Sequence, residues 1–111
     1  MKKFKYAFDG FKCALKQKAV ITQVILAIMA IIGGLIIKLD IYEWLAFTIC
    51  IAGVIALEIV NSVVEKLCDL YSTEYNEKIK VIKDMASAAV LVFCIGALIV
   101  CVLCVLRRIV W

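Results

Sequence analysis

Three stretches of this chain are too long and too apolar to be stable in water. Ala19 to Ile37 carries no charge, Trp44 to Val64 carries one, Glu58, and Met85 to Leu106 carries none. A membrane-spanning helix needs roughly 20 mostly apolar residues, and each stretch meets that length. Strands of a membrane barrel would alternate apolar and polar residues; these stretches do not. Proline is absent and glycine occurs five times in 111 residues, which favours uninterrupted helices over turns. Hydrophobic residues make up 67% of the chain, against about 45–50% in soluble domains. The first apolar run exceeds the ~7–15 residues of a signal-peptide core, so it reads as a span.

The expected architecture is all-α and membrane-embedded, a single domain over residues 1–111. An amphipathic surface helix over 2–18 precedes spans at about 19–37, 44–64 and 85–106. In the surface helix Phe4, Phe8, Phe11 and Leu15 recur at helical spacing among lysines, the pattern of a helix lying in the membrane interface. Lys2, Lys3, Lys5, Lys12, Lys16 and Lys18 precede the first span, and Lys66, Lys78, Lys80 and Lys83 lie between the second and third. The positive-inside rule then puts the N-terminus and the second connection in the cytoplasm. Three spans leave Arg107 and Arg108 outside, against that rule. The net charge of +4 is explained by lysines flanking membrane segments and does not point to nucleic acid.

Trp44 and Trp111 suit the outer interface. Gly33-Gly34 either loosens the first span or allows close helix approach. The second span is expected to run on to about Leu70, with a polar turn from Tyr71 to Glu77. Six cysteines without any histidine argue against zinc. Cys50, Cys94, Cys101 and Cys104 read as small apolar residues inside the spans.

Glu58, Asn61, Glu65 and Asp69 fall within about 80° on one face of a helix. A carboxylate inside a span is costly unless it faces protein or water, so Glu58 marks a functional site. The alternative for it is a structural polar knot between helices. Lys83-Asp84 follows at the start of the third span, then the small residues Ala86-Ser87-Ala88-Ala89. A lysine can hold phosphates, carboxylates can hold Mg²⁺, and a further carboxylate can accept a proton from a hydroxyl.

These residues resemble the prokaryotic diacylglycerol kinase family, small three-span lipid kinases of the bacterial inner membrane. The resemblance lies in Glu58-Ile-Val-Asn61-Ser-Val-Val-Glu65, Asp69, Glu74-Tyr75-Asn76-Glu77 and Lys83-Asp84-Met85-Ala86-Ser87-Ala88-Ala89. Tyr6, Gly10 and Lys12 fit the family's surface helix. The resemblance implies transfer of the ATP γ-phosphoryl group to a lipid hydroxyl, with Mg²⁺, in a homotrimer. It makes Glu58 the general base, with Asn61 orienting the carboxylates. Glu65 would hold Mg²⁺ and ATP phosphates. Lys83 and Asp84 would bind the nucleotide, with Tyr6, Glu74, Tyr75 and Asn76 around it. Ser87 and Glu58 would meet the lipid. Diacylglycerol is the expected substrate; an undecaprenol kinase, or a relative that keeps the fold without strong catalysis, is the alternative. One departure bears on this: Lys18 stands where the family has a second metal-binding glutamate.

Overall fold

The computed structural model describes residues 2–110, and Trp111, expected at the interface, lies outside them. Four helices follow one another: α1 (Lys2–Ala14), α2 (Lys18–Ile37), α3 (Ile41–Tyr71) and α4 (Glu77–Val110). Among the described residues no strand occurs. The last three helices are each long and apolar enough to cross a membrane. The chain is therefore an all-α membrane protein with a short leading helix and three spanning helices. At 1.5 Å per residue, α3 with its 31 residues extends roughly 46 Å. That exceeds a ~30 Å hydrocarbon core, so one end of α3 projects beyond it.

The first helix ends earlier than its apolar spacing suggests, at Ala14 instead of Lys18. Lys16 N–H donates to the Cys13 carbonyl at 3.1 Å and Gln17 N–H to that of Ala14 at 3.0 Å. These i→i+3 bonds tighten the last turn and stop the helix. Gln17 is then extended, at φ −82° and ψ 130°. Lys18 consequently opens the first spanning helix. Phe4, Phe8 and Phe11 are all exposed, and the Lys12 ammonium stands 4.7 Å from the Phe8 ring centroid. An exposed aromatic row flanked by lysines is what an interfacial helix offers to lipid.

The α2–α3 turn is built by specific residues. Lys38 adopts the left-handed conformation (φ 59°) and closes α2 by donating its N–H to the Gly34 carbonyl. Of the two adjacent glycines, Gly34 is the one at a close approach. A side chain there would meet Leu39 at 2.8 Å and Trp44 at 2.9 Å, while Gly33 faces open space. Asp40 starts α3 with a reciprocal capping box: Glu43 N–H donates to Asp40 Oδ1 at 2.9 Å, and Asp40 N–H to Glu43 Oε1 at 3.1 Å. The Glu43 backbone N–H holds the Asp40 carboxyl below its usual range against an opposing push from desolvation, with the Arg107 guanidinium adding a smaller pull in the same downward direction.

The same turn receives the far end of α4. Arg107 Nη1 lies 2.9 Å from Asp40 Oδ2. Arg108 Nη2 lies 2.7 Å from Glu43 Oε1 and donates to the Lys38 carbonyl at 3.0 Å. Glu43 is only 4% exposed. The two arginines that charge counting expects outside are thus each paired with an acid brought to them by the fold.

Near its middle, α3 approaches α4 closely at Gly53, where an added Cβ would run into the Phe93 ring. Small residues at such crossings let membrane helices pack by contact. The six cysteines are all free. Most large apolar residues of α2 and α4 face outward, as lipid-facing surfaces require.

Candidate active site

The second connection is Ser72 to Asn76, within the expected polar turn from Tyr71 to Glu77. Asn76 accepts from the backbone N–H of Lys78 at 2.9 Å and of Ile79 at 3.4 Å through its side-chain oxygen. It is the N-cap of α4. Ser72 Oγ accepts from Glu74 N–H at 3.1 Å, which shapes the turn. Glu74 and Tyr75 are exposed beside it. This short loop brings the ends of α3 and α4 together.

On α3 the polar stripe divides by depth. Glu58, Asn61 and Ser62 are buried, while Glu65 and Asp69 are exposed. Glu58 keeps only 7% of its surface accessible. Glu58 and Glu65 are seven residues apart, about 10 Å along the helix. Asn61 lies between them and donates its side-chain N–H to Glu65 Oε1 at 3.3 Å. Its own Oδ1 is buried without a partner, so an acceptor is left free between the two carboxylates. Ser62 is internally satisfied, donating to the Glu58 carbonyl at 3.1 Å. Gln23 of α2 approaches the Glu58 side chain.

Below this level an apolar cavity of about 140 Å³ lies among the three long helices, lined by Gln23, Cys50, Ile51, Val54, Ala97 and Cys101. Its α3 lining ends at Ile55, one turn short of Glu58, and Gln23 belongs to its wall. Its dimensions and lining suit hydrocarbon.

Lys83 of α4 meets Asp69 of α3, with Nζ 3.0 Å from Oδ1. The next residue, Asp84, is held by Lys80 of its own helix at 2.7 Å. Lys83 is half-exposed and Asp84 exposed, and so is Ser87 a turn deeper. Tyr6 stands exposed on α1. Among the described residues, no hydrogen bond or ion pair joins Tyr6, Ser87, Glu74 or Tyr75 to the α3 stripe.

Metal chemistry at this site has one natural ligand. Among the described residues, no group of three or more acidic, cysteine or histidine side chains gathers to form a complete metal cage. Glu65 offers an exposed carboxylate oriented by Asn61. Mg²⁺ usually takes one or two carboxylates and completes its shell with water and phosphate oxygens. The donor set therefore fits a nucleotide-borne Mg²⁺ better than a resident ion.

A family model described as prokaryotic diacylglycerol kinase matches residues 5–105. The chain belongs to the prokaryotic diacylglycerol kinase family. The diacylglycerol kinase of Helicobacter pylori strain 26695 is 39% identical over 89 residues, covering 78% of this chain and 69% of that protein. The corresponding protein of strain J99 is 38% identical over the same shares. The undecaprenol kinase of Bacillus subtilis strain 168 is 32% identical over 77 residues, 69% of this chain and 60% of its own length. The capping role of Asn76 is legible in the sequence, because Asn immediately before a helical run is a standard start signal. The Asp69–Lys83 pair spans two helices and has no such local signal.

Proposed function

We propose that this chain is an ATP- and Mg²⁺-dependent lipid kinase that converts diacylglycerol to phosphatidic acid. The observation that carries the reading is the buried Glu58, one turn along α3 from the lining of an apolar cavity and separated from an exposed Glu65 by Asn61, which donates to Glu65. A lipid hydroxyl seated at Glu58 has its hydrocarbon directed toward that cavity, and Ser87 is assigned to the lipid by the family resemblance. Glu58 takes the hydroxyl proton as the oxygen bonds to the γ-phosphorus. The bond from that phosphorus to the β–γ bridging oxygen breaks, and ADP leaves. Mg²⁺, held by Glu65 and the phosphates, would supply charge neutralisation during transfer. Lys83 holds phosphate oxygens, Asp84 and Glu74 face the nucleotide, and Tyr6 and Tyr75 bound its base and ribose. Asn61 orients Glu65 and offers its free Oδ1 to the acceptor hydroxyl. Asn76 acts by starting α4, which carries Lys83. Phosphoryl transfer depends mainly on positioning and charge stabilisation, so few residues suffice.

The N-terminus and the α3–α4 loop are assigned to the cytoplasm of a bacterial inner membrane, where ATP is available and the lysines accumulate. A homotrimer is the assembly the family resemblance implies, and the apolar exteriors of α2 and α4 leave room for subunit contacts. Undecaprenol is the second substrate reading, favoured by the similarity to the Bacillus subtilis protein. A fold kept without turnover is the third, and Lys18 at the start of α2 favours it.

One experiment separates them. Purified protein in vesicles with γ-labelled ATP is offered diacylglycerol or undecaprenol. Labelled phosphatidic acid is expected, and Glu58→Gln should lower the rate by about 10²–10⁴-fold, the usual contribution of a general base. Labelling of undecaprenol alone selects the second reading. No labelled lipid from the wild type selects the third.

A further inference from the structure

Lys83 and Asp69 are the one described ion pair between α3 and α4 at the end of the bundle that carries Glu65. Nζ and Oδ1 are 3.0 Å apart, and the two side chains are 37% and 58% exposed. A pair that open to water adds little to stability, so fastening the helices is a poor account of it. Its clear effect is on where the ammonium sits. Lysine carries three donors on a flexible four-carbon stem and is disordered unless held. Asp69 follows Glu65 by one turn on the same face of α3, about 6 Å along the axis. Tying Lys83 to Asp69 therefore brings the ammonium across from its own helix to the carboxylate stripe. One N–H is used and two remain.

The neighbouring acid provides a comparison. Asp84 is paired with Lys80 within α4, an i,i+4 contact that any helix supports locally. The Lys83 contact spans fourteen residues and two helices, and depends on both helix ends being in register. We propose that Asp69 is a positioning residue for nucleotide binding, holding Lys83 on the Glu65 face of α3 so that its two free donors meet the phosphates. The proposal rests on the kinase reading of the same site. Asp69 touches neither the phosphates nor the lipid; it acts through Lys83.

The test uses the full chain in vesicles, with Asp69→Asn, which keeps shape and removes charge, and Asp69→Glu, which keeps charge. Asp69→Asn should raise KM for ATP about tenfold, the scale of freeing a restrained lysine side chain, and leave kcat within about twofold. Asp69→Glu should recover part of the loss. Binding of a fluorescent, non-hydrolysable ATP analogue without lipid should weaken by the same factor. An unchanged KM and analogue affinity in Asp69→Asn overturn the proposal. So does a lowered KM, which would make Asp69 a competitor of phosphate for Lys83. A fall in kcat and thermal stability together, at constant KM, would make the pair merely structural. A wild type that binds the analogue but phosphorylates no lipid refutes the kinase reading alone, and the analogue arm still decides on Asp69. A wild type that binds no nucleotide refutes both.

Discussion

Replacing Gly53 with alanine tests how tightly α3 is seated on α4. The added methyl group would run into the Phe93 ring. Overpacking of a well-filled contact costs about 1–3 kcal/mol. Alanine gains about 0.8–1.0 kcal/mol over glycine in a helix interior, which masks part of that cost. Gly96 supplies the control, because an added Cβ there meets nothing within 4 Å. Gly96→Ala reads the helix gain alone, so the difference between the two substitutions isolates the collision, about 1–3 kcal/mol. Denaturant unfolding in mixed micelles, followed by circular dichroism, measures both. Phe93→Leu shortens the obstructing side chain, and the Gly53→Ala penalty should shrink by about 1 kcal/mol in that background, within the range of contacting pairs. Glu58 lies five residues along α3 from Gly53, so displacement at the crossing also moves the carboxylate. Equal effects at Gly53 and Gly96, or a Gly53 penalty that survives Phe93→Leu intact, would refute the close approach.

Arg108→Gln strands the buried Glu43 carboxylate and should cost about 1–3 kcal/mol of stability. Adding Glu43→Gln should recover part of it, as a double-mutant cycle by the same unfolding assay would reveal. Asn76→Ala should lower stability by about 1 kcal/mol through loss of the α4 cap, while Asn76→Asp, which also caps, should not. Equal behaviour of the two in thermal unfolding would exclude the capping role.

The three spans were legible because burial in lipid demands long apolar runs, a requirement written directly into residues 19–37, 44–64 and 85–106. The α3 stripe was legible for a similar reason: spacings of three and four residues fix which side chains share a helical face. What escaped were contacts between residues far apart in the chain. Arg107 and Arg108 look misplaced by charge counting, since their partners Asp40 and Glu43 lie more than sixty residues upstream. The end of α1 was misjudged because Leu15 continues the apolar spacing, whereas the backbone turns at Lys16 and Gln17. Lys18 then belongs to a different helix from the one its neighbours suggest. Asn76, a nucleotide neighbour by resemblance, also caps α4 through its bonds to the Lys78 and Ile79 backbone, a contact the sequence reading did not name.

The two ends of the bundle are unequal. At one, a three-residue turn, a capping box and two arginine pairs clamp α2, α3 and α4 together. At the other, α3 and α4 meet through a five-residue loop and one exposed ion pair. The crossing at Gly53 and Phe93 divides α4 between them. Lys83 is ten residues from Phe93, a free arm of about 15 Å along α4. A tilt of about 5° at that crossing carries Lys83 about 1.3 Å, under half a hydrogen-bond length. The glycine in the middle of α3 therefore sets the scale on which the Lys83 end of α4 can travel.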